Sequence, residues 1–162
     1  MIIRPAAPAD IPAILVFWNQ IIRETTIIFA AEERTAESLA AMIEARRAAG
    51  REMLVAEADG RTLGIATYDQ FRGGSGFAHA MEHTVLLAPG ARGRGIGRAL
   101  MAAIEAHARG AGAHTMVAAV AAENAAGVEF HKAIGFAQVG HLPQSGRKFG
   151  RWLDLVLLQK LL

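Results

Sequence analysis

The chain has 162 residues, with 17 Lys+Arg against 15 Asp+Glu for a formal charge of +2, 52% hydrophobic residues and no cysteine. That length suits one globular domain spanning 1–162. The composition excludes a disordered chain, and the missing cysteines exclude a disulfide scaffold, thiolate metal sites, iron–sulfur clusters and a cysteine nucleophile.

Ile2–Arg4 is predicted as a short strand. Asp10 is expected to cap a helix running to about Ile22, with Ile11, Ile14, Leu15, Trp18 and Ile22 on one face at helical spacing. Pro8, Asp10 and Pro12 break the apolar N-terminus where a signal peptide needs a clean run, and no window reaches the ~18–20 apolar residues of a membrane span. A cytoplasmic protein without membrane contact is therefore expected. Arg23–Arg34 lacks clear periodicity and reads as a connection. Thr35 is the expected cap of a second helix, Ala36–Ala48, closed by Gly50. A hairpin follows, Met53–Ala58 and Thr62–Phe71 around an Asp59-Gly60 turn.

Residues 72–76, RGGSG, read as a loop, and Ala80–Leu87 as a strand ended by Pro89-Gly90. Next come a helix from about Ile96 to Arg109, a strand over Thr115–Val120 and a helix over Asn124–Ile134 stopped at Gly135. Phe136–Gly140 starts another strand, 141–150 reads as a basic loop, and Trp152–Lys160 is the last strand. This order indicates an α/β domain with a mixed sheet.

The segment PGARGRGIGRAL, residues 89–100, lies between a predicted strand and a predicted helix. Gly93, Gly95 and Gly97 keep side chains away, so consecutive backbone N–H groups can face an anion, and the helix adds its positive end. Arg92, Arg94 and Arg98 add positive charge with no acid among them. Without those three arginines the net charge would be −1, so the mild basicity is local. A glycine-rich turn with its arginines in water is the plainer alternative. The Walker A ending is absent, and G-x-G-x-G in mid-chain does not fit a dinucleotide-binding unit.

Arg92-x-x-Gly95-x-Gly97 resembles the acetyl-CoA signature of the GNAT superfamily of N-acetyltransferases, and NAAGVEFHKAIGF at 124–136 resembles its asparagine–helix–GF pattern. The resemblance spans nearly the whole chain. It implies a GNAT-type fold with a mixed central sheet of about seven strands and about four main helices. It also implies acetyl-CoA as donor, the turn Arg92–Arg98 (with Gly93, Arg94, Gly95, Ile96 and Gly97) on its pyrophosphate, and Val85, Leu86, Leu87 and Asn124 on the pantetheine arm. The strand ending at Leu87 would splay from its neighbour, and a backbone N–H near Leu86 or Leu87 would meet the oxyanion.

MEHTVLLAPGARGRGIG, FRGGSGF, RETTIIF and KFGRWLDLVLLQKLL resemble the phosphinothricin and methionine sulfoximine N-acetyltransferases, which implies direct transfer of an acetyl group to the α-amino group of a small amino-acid analogue. Glu82 is then the base that takes the amine proton, and His83 alternates to the opposite face. His131 stands where many GNAT enzymes have Tyr; it is expected to contact the donor and could give a proton to the thiolate. Arg72 is the first choice for the acceptor carboxylate, with Phe71, Phe77 and Thr26 lining the pocket and Lys148 or Arg151 as further cations. Trp152 is expected to pack.

No metal is expected, because the six histidines form no zinc spacing and thioester transfer needs none. No nucleic-acid partner is expected from so short a basic cluster, while the apolar excess suits a homodimer. The alternatives are acetylation of another primary amine (an ordinary amino acid, a polyamine or a protein N-terminus) or a non-catalytic CoA-binding module.

Overall fold

The computed structural model describes residues 1–162. Strands β1 (Ile2–Pro5), β2 (Met53–Ala58), β3 (Arg61–Gln70), β4 (Ala80–Leu87), β5 (Thr115–Ala121), β6 (Ala137–Lys148) and β7 (Arg151–Leu161) form one sheet in the order β1-β2-β3-β4-β5-β7-β6. Four helices accompany it: α1 (Ile11–Glu24), α2 (Ala36–Ala48), α3 (Ile96–Gly110) and α4 (Ala125–Ala133). The β4–β5 pair is parallel and every other pair antiparallel, as a mixed sheet requires.

Period-two alternation sorts the strand residues onto two faces. Met53, Val55, Ile65 and Leu86 pack with Ile14, Phe17 and Trp18 of α1 and Leu39 and Ile43 of α2. Their neighbours Leu54, Ala56, Ala66 and Met81 pack with Leu100, Met101 and Ile104 of α3. The α1 face and the α3 face are thus separate cores on the two sides of one sheet. No helix is long and apolar enough to cross a membrane.

Thr35 caps α2 as expected, its side chain accepting from the Ser38 N–H at 3.1 Å. The 59–60 turn has positive φ at both residues, 51° and 69°, the geometry of a tight two-residue hairpin. Asp10 corrects the expectation for α1. Its carboxylate makes no cap to that helix but accepts from the Ala7 N–H at 2.7 Å and from both terminal nitrogens of Arg4 at 2.7 and 2.8 Å. A buried Asp is better satisfied by a bidentate guanidinium than by a cap at the surface.

Residues 141–150 are the second correction. They extend β6 to Lys148, and a two-residue turn, Phe149-Gly150 with φ of 51° and 74°, leads straight into β7. Phe-Gly lacks the turn preference of Asn-Gly or Asp-Gly, and two register shifts, at Gln138/Gly140 and Leu142/Gly146, hide the alternation in the sequence. Trp152 also differs from expectation. The residue is 58% exposed, and its ring lies under the Arg147 guanidinium, 4.6 Å from centroid, on the surface.

Candidate active site

β4 is paired with β5 only from Ala80 to Glu82, against Thr115–Val117. Beyond that point β4 continues along β3 to Leu87, while β5 continues along β7 to Ala121. The sheet therefore opens into a wedge with Glu82 at its apex. The Ala88 N–H bonds back to Leu63 and the Phe71 N–H to the Ala80 carbonyl, so even-numbered residues of β4 direct their backbone groups at β3. By alternation the Val85 and Leu87 N–H groups point into the wedge, and that of Leu86 does not. Of the two residues expected near the oxyanion, Leu87 has the available donor.

The turn after β4 forms the outer end of this opening. Gly93 and Gly95 hold φ of 74° and 76°, where a side chain would be strained. No backbone N–H from Arg92 through Arg98 donates to an acceptor within the chain; bonding resumes with Ala99 to the Gly95 carbonyl. A cavity of about 440 Å³ lies against them, lined by Val85, Leu86, Leu87, Arg92, Gly93, Gly95, Ile96, Gly97, Arg98, Asn124 and His131. Donors in series, a helix N-terminus and two guanidinium groups fit a diphosphate joined to an apolar-walled arm. Arg94 of the expected set does not line the cavity. Asn124 caps α4 by accepting from the Gly127 N–H at 3.0 Å, and a Cβ at Gly127 would lie 2.4 Å from the Asn124 amide nitrogen.

Glu82 and His83 point to opposite faces, as a regular strand demands; no bulge interrupts the β3–β4 register. Glu82 lies on the α1 face, the side of Leu86, and burial raises its carboxyl pKa above the ordinary value. Asp69 is directly opposite Glu82, but it is paired with Arg46 and Arg51, which offsets the like charge.

His83 is buried on the α3 face, stacked on His131 with ring centroids 5.0 Å apart. His131 Nδ1 lies 2.7 Å from the Gly127 carbonyl oxygen, which can only accept, so Nδ1 carries the proton. His131 Nε2 is then bare and accepts from His83 Nε2–H at 3.2 Å. Burial lowers both pKa values, that of His83 to about 3, and the neighbouring His131 adds to the effect on His83. Neutral His131 thus has both ring nitrogens engaged inside the protein. This corrects the proton-donor expectation: it lines the cavity, but with no proton to give there.

Residues 3–157 match the acetyltransferase (GNAT) domain family. The chain is a GNAT acetyltransferase. It is 40% identical, over 97% of its length and 92% of the relative's, to the L-methionine sulfoximine/L-methionine sulfone acetyltransferase of Pseudomonas paraeruginosa. Its structure is similar to that of the ribosomal-protein-alanine N-acetyltransferase of Brucella melitensis, with a TM-score of 0.97, 41% identity and full coverage of both chains. It is also similar to an acetyltransferase of Salmonella typhimurium solved with acetyl-CoA, at a TM-score of 0.94 and 36% identity, covering 99% and 92% of the two chains.

On the acceptor side of this GNAT chain the expected residues part company. Lys148 is a correction: it is buried, and its Nζ donates to the carbonyl oxygens of Ile22, Thr25 and Ile28 at 2.6, 2.8 and 2.6 Å. An ammonium whose three protons are all taken is not available to a substrate carboxylate. Arg151 is held by Glu123 through two bonds of 2.7 and 2.8 Å, and the Thr26 hydroxyl donates to the same carboxylate. Arg72 alone among these cations has no hydrogen-bonded partner on its side chain; it lies 5.5 Å from the Phe77 ring centroid, with Phe71 and Phe77 partly exposed beside the β3–β4 loop. None of Arg72, Phe71 and Phe77 lines the donor cavity.

Sequence reasoning missed Ile21, Ile27, Ala126, Gly127 and Phe130, which complete the cavity wall. Ala126, Gly127 and Phe130 follow Asn124 on α4 and were within reach of helical spacing. Ile21 and Ile27 come from the other side of the sheet, and no local pattern marks them.

Proposed function

We propose that this enzyme transfers the acetyl group of acetyl-CoA to the α-amino group of a small amino-acid analogue such as methionine sulfoximine, methionine sulfone or phosphinothricin, directly and without a covalent enzyme intermediate. The observation that carries this reading is the conjunction at one wedge: unpaired N–H groups from Arg92 to Arg98 at its open end and a half-buried Glu82 at its apex. The Pseudomonas relative's name supports the acceptor class, and the acetyl-CoA in the similar Salmonella structure supports the donor.

Acetyl-CoA supplies an activated acyl group, so that an amide forms as the carbon–sulfur bond breaks. The chain's own residues do the rest. Arg92, Arg98 and the 92–98 amides hold the diphosphate, while Val85, Leu87, Asn124 and the His131 ring edge wall the arm. Glu82 takes the proton from the acceptor ammonium; burial makes its carboxylate a stronger base than an exposed one. The Leu87 N–H is the donor for a carbonyl oxygen gaining negative charge. Arg72, lacking an acidic partner, binds the acceptor carboxylate beside Phe77, which also distinguishes an amino acid from a polyamine. The enzyme acts in the cytoplasm as a homodimer; exposed Val139, Leu142 and Trp152 on β6 and β7 support that association.

Thiol release from acetyl-CoA is the test, with a panel of L-methionine sulfoximine, phosphinothricin, free amino acids, spermidine and an alanine-initiated peptide. The proposal requires the first two to be the preferred acceptors. Preference for spermidine or the peptide would replace it with a different primary amine, and no turnover with any amine would point to a CoA-binding module.

A further inference from the structure

The stretch that follows α1 is gripped from across the wedge by the β6–β7 hairpin. Lys148, the last residue of β6, meets the carbonyls of Ile22, Thr25 and Ile28, one for each proton of its ammonium, with no carboxylate in the set. Two residues earlier, Phe29 lies on Gly146, where a Cβ would come within 2.3 Å of the ring. Just past the hairpin turn, Arg151 holds Glu123, which accepts from the Thr26 hydroxyl. Ile27, in the middle of the gripped stretch, lines the cavity. The two sides of the split sheet, paired directly only at Ala80–Glu82, are therefore joined a second time on the α1 face, the face that carries Glu82.

We propose that Lys148 is a positioning residue for acceptor binding: by holding the Ile22, Thr25 and Ile28 carbonyls it fixes residues 22–29 as the wall against which the amine is presented to Glu82. The proposal rests on the acceptor reading above. The chemistry calls for an ammonium. Three converging carbonyls match a tetrahedral –NH₃⁺, whereas the planar fork of arginine cannot meet them together and methionine leaves them without a donor.

Because the chain has no cysteine, Lys148→Cys provides a single thiol. Bromoethylamine, applied to the unfolded chain before refolding, converts it to an aminoethyl side chain that restores an ammonium at lysine length; wild type and Lys148→Met pass through the same treatment as controls. The expected result is a rise of about tenfold or more in KM for L-methionine sulfoximine in Lys148→Cys. KM for acetyl-CoA stays within about twofold, hydrogen exchange over 22–29 is faster, and aminoethylation returns each value to near wild type. Lys148→Met stays impaired after treatment. Gly146→Ala keeps the lysine but displaces Phe29, and is expected to raise the acceptor KM in the same direction; it decides the matter if Lys148→Cys does not refold. An unchanged acceptor KM, an equal rise for acetyl-CoA, or failure of aminoethylation to restore a folded variant overturns the proposal. If wild type acetylates no amine, the acceptor reading fails instead, and the hydrogen-exchange comparison still tests the grip by itself.

Discussion

The proposed donor cradle and the proposed acceptor wall border one cavity but are assembled in different ways. The cradle is a single turn, Arg92–Arg98, whose glycines, arginines and unpaired N–H groups are consecutive. The wall is held by contacts such as Lys148 to Ile22, 126 residues apart, and its central residue Ile27 has no polar role of its own. In the reading proposed above, a local motif binds a fixed group, the diphosphate, with backbone that a glycine-permitted turn can supply. A surface drawn from distant elements can vary in shape while the cradle stays as it is. The split in the sheet, with Glu82 at its apex, is where the two are proposed to meet.

Substitutions at the apex are expected to have the largest effect and to belong to neither side. Glu82→Gln should lower kcat by about 10²–10⁴-fold with KM for acetyl-CoA unchanged. In wild type, kcat/KM should rise with pH through a value above the usual carboxylate range, because burial raises the Glu82 pKa, and this limb should vanish from the variant's residual activity. Steady-state profiles check both.

Behind the wedge, His83 is held neutral by burial, with a pKa of about 3 against an ordinary 6.5. Between those values the unfolded chain binds a proton that the folded chain refuses. Stability is therefore lost as pH falls from about 6.5 toward 3, at about 1.4 kcal/mol per pH unit for this proton. Denaturant titrations across that range should show a shallower dependence in His83→Asn, since the His83 proton no longer contributes.

Two opposed KM effects separate the two sides. Arg92→Ala and Arg98→Ala should each raise KM for acetyl-CoA about tenfold, more weakly at high salt, and leave the acceptor KM alone. Arg72→Ala should do the reverse, raising the acceptor KM by several-fold for L-methionine sulfoximine but not for its carboxamide. Equal movement of both KM values in either set would mean that the two sides are not separable.

Most of the fold was legible because it rests on local signals. Met53–Ala58, Ala80–Leu87 and Ala36–Ala48 have the boundaries their patterns announce, and Thr35 caps where its side-chain chemistry says it should. The glycine geometry of the 92–98 turn was legible for the same reason. Asp10 misled because its acid is satisfied by Arg4 and the Ala7 N–H rather than by the following helix. The β6 extension was hidden by register shifts and an unusual Phe-Gly turn. Lys148 was read as a free cation because nothing in a one-dimensional pattern reveals three carbonyls from another element converging on it. A proton-donating role for His131 stayed open in the sequence because its tautomer is set by two partners, Gly127 four residues before it and His83 on a different strand.

Direct transfer between two separately built half-sites is tested most squarely by an initial-velocity grid in acetyl-CoA and L-methionine sulfoximine. Intersecting double-reciprocal lines are expected, with no CoA thiol released when the amine is omitted. Parallel lines, with a burst of thiol from acetyl-CoA alone, would contradict it.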